Sequence, residues 1–214
     1  MTEVFVYCLM LIRELEGLNL GDAPDMGDHL FVGRGDELEQ LQTILIPDGD
    51  SSTRKVLVIG GMGGIGKTQI AIRYAKQHRT SYSSVFWLNA ASESTLKASL
   101  RRLAPQILTG RVVDQLDDDQ LWTQVSVWLS EPENSRWLLI LDNYDDPGQY
   151  RIERYYPSVA HGSVIITTRQ PDQVNGYAIK MYSMASVEDS LNILATRSGR
   201  SDTSTGNDCD LTAM

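Results

Sequence analysis

Apolar and polar positions along the chain alternate between two kinds of pattern. Residues 55–59, 84–89, 136–142, 162–169 and 177–181 are short runs rich in Val, Ile, Leu, Phe and Trp. Runs of that length that are apolar at successive positions read as strands covered on both faces. Between them lie stretches with helical spacing. Leu38, Leu41 and Leu45 keep one face apolar after Asp36 and Glu39, a pair that resembles a capping box. Ile70 and Tyr74 stand four apart within 68–76, and residues 92–108 and 117–130 give two further helices. Asp117, Asp118 and Asp119 sit where the last of these begins, as expected of carboxylates facing the positive end of a helix dipole. A final helix is expected from Ser186, carrying Leu191, Leu194 and Ala195. Strands alternating with helices predict an α/β fold, a mainly parallel sheet of roughly five strands with helices on both faces.

The ends of the chain have a different character. Residues 4–12 are apolar but too few to span a bilayer, and they lack the basic start and cleavage site of an export signal. They read as a packed strand or helix, or as the remnant of an upstream domain. Residues 13–30 are polar and rich in Gly and Asp, as in a linker, and 47–52 form a turn that delivers the chain to the first strand. From Ser198 the chain is polar, and 201–214 is expected to be a disordered tail. The boundaries are therefore an N-terminal segment and linker over 1–30, a folded domain over 31–200, and the tail.

At 214 residues and 42% apolar composition, the chain is long enough for one domain with a real core. The net charge of −9, with no cluster of Lys or Arg, argues against a nucleic-acid partner. Cys8 and Cys209 lie near opposite ends without metal-like spacing, which suits a reducing, cytoplasmic setting. No membrane partner is expected.

The chemistry is concentrated in Gly61-Met62-Gly63-Gly64-Ile65-Gly66-Lys67-Thr68, which fills the pattern G-x-x-x-x-G-K-[ST]. Glycines let a loop wrap its N–H groups around phosphate oxygens at close range. Lys67 can reach the β- and γ-phosphates, the Thr68 hydroxyl can ligate Mg²⁺, and the helix that follows adds its positive dipole end. The strand before and the helix after are the setting in which this motif binds phosphate.

Two further strands end in polar residues. The run 136–142 ends in Asp142, and 162–169 ends in Arg169. In open parallel sheets ligands bind at the carboxyl ends of strands. Asp142 is therefore placed to hold Mg²⁺ opposite Thr68, and Arg169 to read a γ-phosphate or its absence.

Phe31-Val32-Gly33-Arg34, the phosphate loop, the Asp142 strand and Thr167-Thr168-Arg169 stand in an order that resembles the NB-ARC branch of the STAND nucleotide-switch ATPases. These are the central domains of plant NLR-type receptors, animal apoptosis regulators and many fungal proteins. The wording of 86–90 and 141–146 looks most like the fungal members. The resemblance implies a P-loop NTPase three-layer αβα sandwich that binds ATP or ADP with Mg²⁺. By position, Val32 would touch the adenine and Arg34 the nucleotide. Gly61, Gly63, Gly64, Ile65, Gly66, Lys67, Thr68 and Gln69 would surround the phosphates, with Thr68 and Asp142 on the metal. Lys67, Asp142 and Arg169 would carry the chemistry. The resemblance further implies a signalling switch that associates with itself or with related domains.

The chain departs from that pattern in two ways. The Gly-x-Pro subdomain and the winged-helix domain that usually follow are not in this sequence, so it reads as cut off after the nucleotide-binding core and weak nucleotide retention is expected. The position after Asp142, often a second acid, is Asn143. An amide cannot act as a base, so slow hydrolysis is expected unless Asp145 or Asp146 substitutes. A conventional P-loop motor and a small-molecule kinase share the loop and remain alternatives. The arginines at 101, 102, 151 and 154 are scattered and make no kinase lid, and the Asn-Lys-x-Asp motif of a GTPase is absent.

Overall fold

The computed structural model describes residues 33–46, 53–108 and 113–183, together with Ala23, Phe31, Leu191 and Ile193. The apolar run 4–12, Val32, the turn 47–52, the start of the final helix at Ser186, Leu194 and Ala195, and the tail lie outside the described residues, as does all of the linker except Ala23. Leu191 and Ile193 are helical, where the last helix was expected.

Among the described residues the main elements follow in order: α1 Gly35–Leu45, β1 Lys55–Gly60, α2 Lys67–Gln77, β2 Ser84–Asn89, α3 Glu93–Ile107, α4 Asp118–Ser130, β3 Trp137–Asp142, β4 Ser163–Thr168 and β5 Tyr177–Lys180. The strands form one sheet in the order β2-β3-β4-β1-β5, and every neighbouring pair is parallel. The expected α/β fold with five parallel strands is what the chain adopts.

Strands β1 to β4 each feed two cores because side chains alternate across a sheet. Leu139 and Leu141 of β3, Val164 and Ile166 of β4, and Val58 of β1 face α3 and α4. Their alternates Leu138, Ile140, Ile165, Leu57 and Ile59 face α1 and α2, where Leu41, Leu45, Ile70 and Tyr74 cover them. The two clusters make the structure a three-layer αβα sandwich. They also explain why β3 and β4 are buried at all six positions.

Local chemistry sets the helix starts. Ser92 caps α3, with its hydroxyl accepting from Thr95 N at 3.2 Å and Thr95 Oγ1 accepting from Ser92 N at 2.9 Å. Asp117 and Gln120 make the same reciprocal pair at the start of α4, at 2.8 and 3.0 Å. Asp118 and Asp119 follow in the first turn and face Arg101 and Lys97 of α3 at 2.7 and 3.6 Å.

The start of α1 differs from the sequence expectation. Arg34 is its N-cap, in a left-handed conformation at φ 65, and no side chain caps the helix. Asp36 already lies inside the first turn, so it acts through the helix dipole rather than by capping. No described helix is long and apolar enough to cross a membrane.

Candidate functional site

With all strands parallel, Gly60, Asp142 and Thr168 end β1, β3 and β4 at one edge of the sheet. Inserting β4 between β1 and β3 brings Thr167 and Arg169 beside the loop that leaves β1. Gly61 N donates to Thr168 O at 3.3 Å, which ties the start of the loop to the end of β4. The loop then turns through Gly64 at φ 76 and Gly66 at φ 101. A Cβ at Gly64 would meet nothing within 4 Å. Glycine is needed there for its backbone conformation, not for space. Gly66 is also the N-cap of α2, so the first amides of that helix point at the loop cavity.

Lys67 is only 8% exposed. Its Nζ donates to Gly61 O at 2.8 Å and Met62 O at 3.0 Å. Burial holds its pKa below the ordinary lysine value. Asp145 and Asp142 pull it upward, and Arg169 pushes it further down. A cation so placed gains most from an anion entering the loop, because that ligand would offset its desolvation.

Asp142 is 3% exposed and sits at the centre of a hydroxyl network. Thr68 Oγ1 donates to its Oδ1 at 2.9 Å, and Thr167 Oγ1 donates to the same oxygen at 2.6 Å. Asn143 Nδ2 donates to Oδ2 at 3.2 Å. Burial raises the Asp142 pKa above the usual carboxylate value, opposed by the Thr167 and Thr68 hydrogen bonds and the Lys67 charge. Thr68 and Asp142 thus stand together on one spot, a hydroxyl beside a buried carboxylate.

Arg169 is paired on arrival. Its Nε lies 2.8 Å from Asp145 Oδ2, and its own N–H donates to Asp145 Oδ1 at 2.8 Å. The guanidinium lies over the phosphate loop, where a Cβ on Gly63 would be 3.4 Å from Cζ. Asp146 turns away to close the 146–149 turn, accepting from Gln149 Nε2 at 2.8 Å.

These groups enclose a cavity of about 250 Å³ lined by Gly63, Gly64, Gly66, Lys67, Thr68, Gln69, Asn143, Asp145 and Arg169. Gly61 and Ile65 contribute carbonyls instead: Gly61 O holds Lys67, and Ile65 O accepts from Arg34 Nη2 at 3.3 Å. Arg34 also pairs with Glu37 at 2.8 Å, so it touches the loop without lining the cavity. Val32 lies outside the described residues. A larger cavity, about 700 Å³, opens at the opposite end of the strands beside Arg54, Tyr156 and Tyr177. No residue of the phosphate motif lines it, and the chemistry converges on the smaller one.

Sequence reasoning missed Thr167 and Asn143 as part of this network. Thr167 is fully buried and holds both Asp142 and the Asn143 amide, the latter at 2.9 Å. Its one signal is a hydroxyl directly after the apolar stretch Val164-Ile165-Ile166. Asn143 takes φ 68, a left-handed conformation that Asn tolerates better than most residues.

A parallel sheet with a glycine loop, a buried aspartate and an arginine at one carboxyl edge defines the P-loop NTPase class of fold. Residues 34–197 match the NB-ARC domain. The chain belongs to that family and is an NB-ARC/STAND-type domain. It is similar to a "Nucleotide-binding leucine-rich repeat (NLR)-like protein" of Hyaloscypha variabilis, 32% identical over 156 residues and covering 65% of this chain. It is similar also to a "Probable disease resistance RPP8-like protein 4" of Arabidopsis thaliana, 28% identical over 152 residues and 68% of this chain. The match spans 16% of the length of each of these two relatives. Among solved structures, a Signal Transduction ATPase with Numerous Domains (STAND) protein with a tetratricopeptide repeat sensor, from Pyrococcus horikoshii, shares the fold. It aligns at TM-score 0.50 and 17% identity, over 87% of this chain and 28% of its own.

Proposed function

We propose that this chain is an adenine-nucleotide switch domain of an NLR-like signalling protein, which binds ATP and ADP with Mg²⁺ and hydrolyses ATP slowly. One observation carries the reading. Lys67, Thr68 and Arg169 line one cavity at the carboxyl edge of the sheet, and buried Asp142 accepts a hydrogen bond from Thr68 behind it. In this reading Lys67 leaves the loop carbonyls for the β- and γ-phosphates. Thr68 and Asp142 take Mg²⁺, whose charge would neutralise the phosphate oxygens. Arg169 reads the γ-phosphate, and Arg34 steadies the loop from the Ile65 side. Asn143 supplies no base, Asp146 is tied into its turn, and Asp145 is engaged by Arg169. Slow turnover is the expectation, because Asn143 cannot act as a base and Asp146 is tied into its turn.

A signalling role in innate immunity or cell death, a cytoplasmic site of action, and self-association or association with related NB-ARC domains belong to the same proposal. They rest on the named relatives. The kinase alternative is weakened because Arg101 is held by Asp118 and Leu116 O between α3 and α4.

The test is to denature the protein as purified, identify any released nucleotide by chromatography, and titrate the nucleotide-free chain with ATP and ADP. Bound ADP, or Mg²⁺-dependent binding of both nucleotides with turnover below about 1 s⁻¹, supports the switch. Faster turnover would indicate a motor. Phosphate transfer to an added acceptor would indicate a kinase.

A further inference from the structure

The two members of the Asp145–Arg169 pair are not equally free to move. Asp145 is pinned on its backbone and on one carboxylate oxygen. Its N–H donates to Asn143 O at 2.8 Å, its carbonyl accepts from Gln170 Nε2 at 2.8 Å, and Oδ1 accepts from the Arg169 amide at 2.8 Å. The neighbouring Tyr144 is anchored as well, through N–H to Thr167 O at 2.9 Å and through its hydroxyl to Tyr150 O at 2.6 Å. Asp145 Oδ2 is therefore a fixed acceptor at the cavity wall. The Arg169 side chain is 64% exposed, and its Nε lies 2.8 Å from Asp145 Oδ2. When the pair opens, the arginine is the half that moves.

We propose that Asp145 sets the preference of this site between nucleoside triphosphate and diphosphate, by competing with the terminal phosphate for the Arg169 guanidinium. The proposal rests on the reading that the cavity takes the phosphates of a nucleotide and that Arg169 meets the last of three. A guanidinium pairs with carboxylate and phosphate oxygens through the same forked geometry. A diphosphate leaves Arg169 with Asp145. A triphosphate draws it away, so part of the arginine's attraction is spent on breaking an existing pair. Asp145 thus weakens ATP relative to ADP and biases the domain toward its diphosphate state. A partly exposed ion pair implies a bias of roughly two- to fivefold in the affinity ratio.

The experiment is a double-mutant cycle read by binding. Mg-ATP and Mg-ADP affinities are measured on the wild-type chain, Asp145→Asn, Arg169→Ala and the double variant. Asn keeps an oxygen for the Arg169 amide and removes only the charge. Asp145→Ser, which can also accept from that amide, is the second variant should Asn fail to fold. The expected result is that Asp145→Asn raises the ATP-to-ADP affinity ratio by roughly two- to fivefold, and raises it much less when Arg169 is already Ala. An equal rise in both backgrounds would show a charge acting through space rather than competition, and would overturn the proposal while leaving the nucleotide site intact. No rise in either background would overturn it equally. A wild-type chain that binds neither nucleotide would remove the site reading itself, and the competition with it.

Discussion

Lys67 shows how one side chain can be arranged for a ligand before the ligand arrives. Its ammonium is buried against Gly61 O and Met62 O, two neutral carbonyls, and its pKa is held down mainly by desolvation. Lys67→Ala is expected to weaken ATP and ADP together by at least tenfold, measured by calorimetric titration, since both nucleotides carry a β-phosphate. Arg169→Ala is expected to weaken ATP more than ADP in the same measurement, and equal losses would refute its γ-phosphate role.

His78 gives a separate expectation, on pH. Its ring packs on Tyr74 at 4.6 Å between centroids with the planes tilted by 37°, and burial lowers its pKa from the ordinary 6.5. A lowered folded pKa means that the unfolded chain binds the proton more readily. The His78 contribution to stability is therefore present above about pH 6.5 and is lost as pH falls through the folded value. His78→Gln should reduce the drop in urea midpoint between pH 7.5 and pH 5.5. An unchanged drop would place the pH dependence elsewhere.

The helices and strands follow from patterns that act over a few residues, which is why they were legible in advance. Ser92 and Asp117 cap α3 and α4 through bonds spanning three positions, and Ser92→Ala should lower unfolding free energy by about 1 kcal/mol in urea titration. The start of α1 was not legible in this way. Arg34 is held in its left-handed conformation beside a hydrogen bond to Ile65, 31 residues away, and no local pattern announces such a contact. Gly162 is a second long-range case. It sits at φ 82 before β4, and a Cβ there would lie 2.2 Å from the Trp137 indole. Trp137 cannot move aside easily, because its Nε1 donates to Leu129 O at 2.9 Å in the buried core. Gly162→Ala should cost at least about 2 kcal/mol by overpacking and backbone strain together, seen as a lowered melting temperature.

For the molecule as a whole, a ligand that binds the folded chain alone must stabilise it. Saturating Mg-ADP at about 100 times its dissociation constant should add about 2.7 kcal/mol, readable as a rise in melting temperature that Lys67→Ala reduces at the same ADP concentration. The glycine loop, its lysine and threonine, the five strands and the strand-ending Asp142 could all be identified from the chain alone. Each depends on residue types at fixed short spacings, where sterics, hydrogen-bonding capacity and the two-residue alternation of strands leave few options. The assembly of the site did not follow from those spacings. Strand order placed β4 between β1 and β3, and that placement put Thr167 on Asp142 and brought Arg169 over Gly63. The pairing of Arg169 with Asp145 rather than with solvent arose in the same way. Contacts between residues 24 or more positions apart depend on how whole strands pack, because their energy is gained only after the sheet has closed around them.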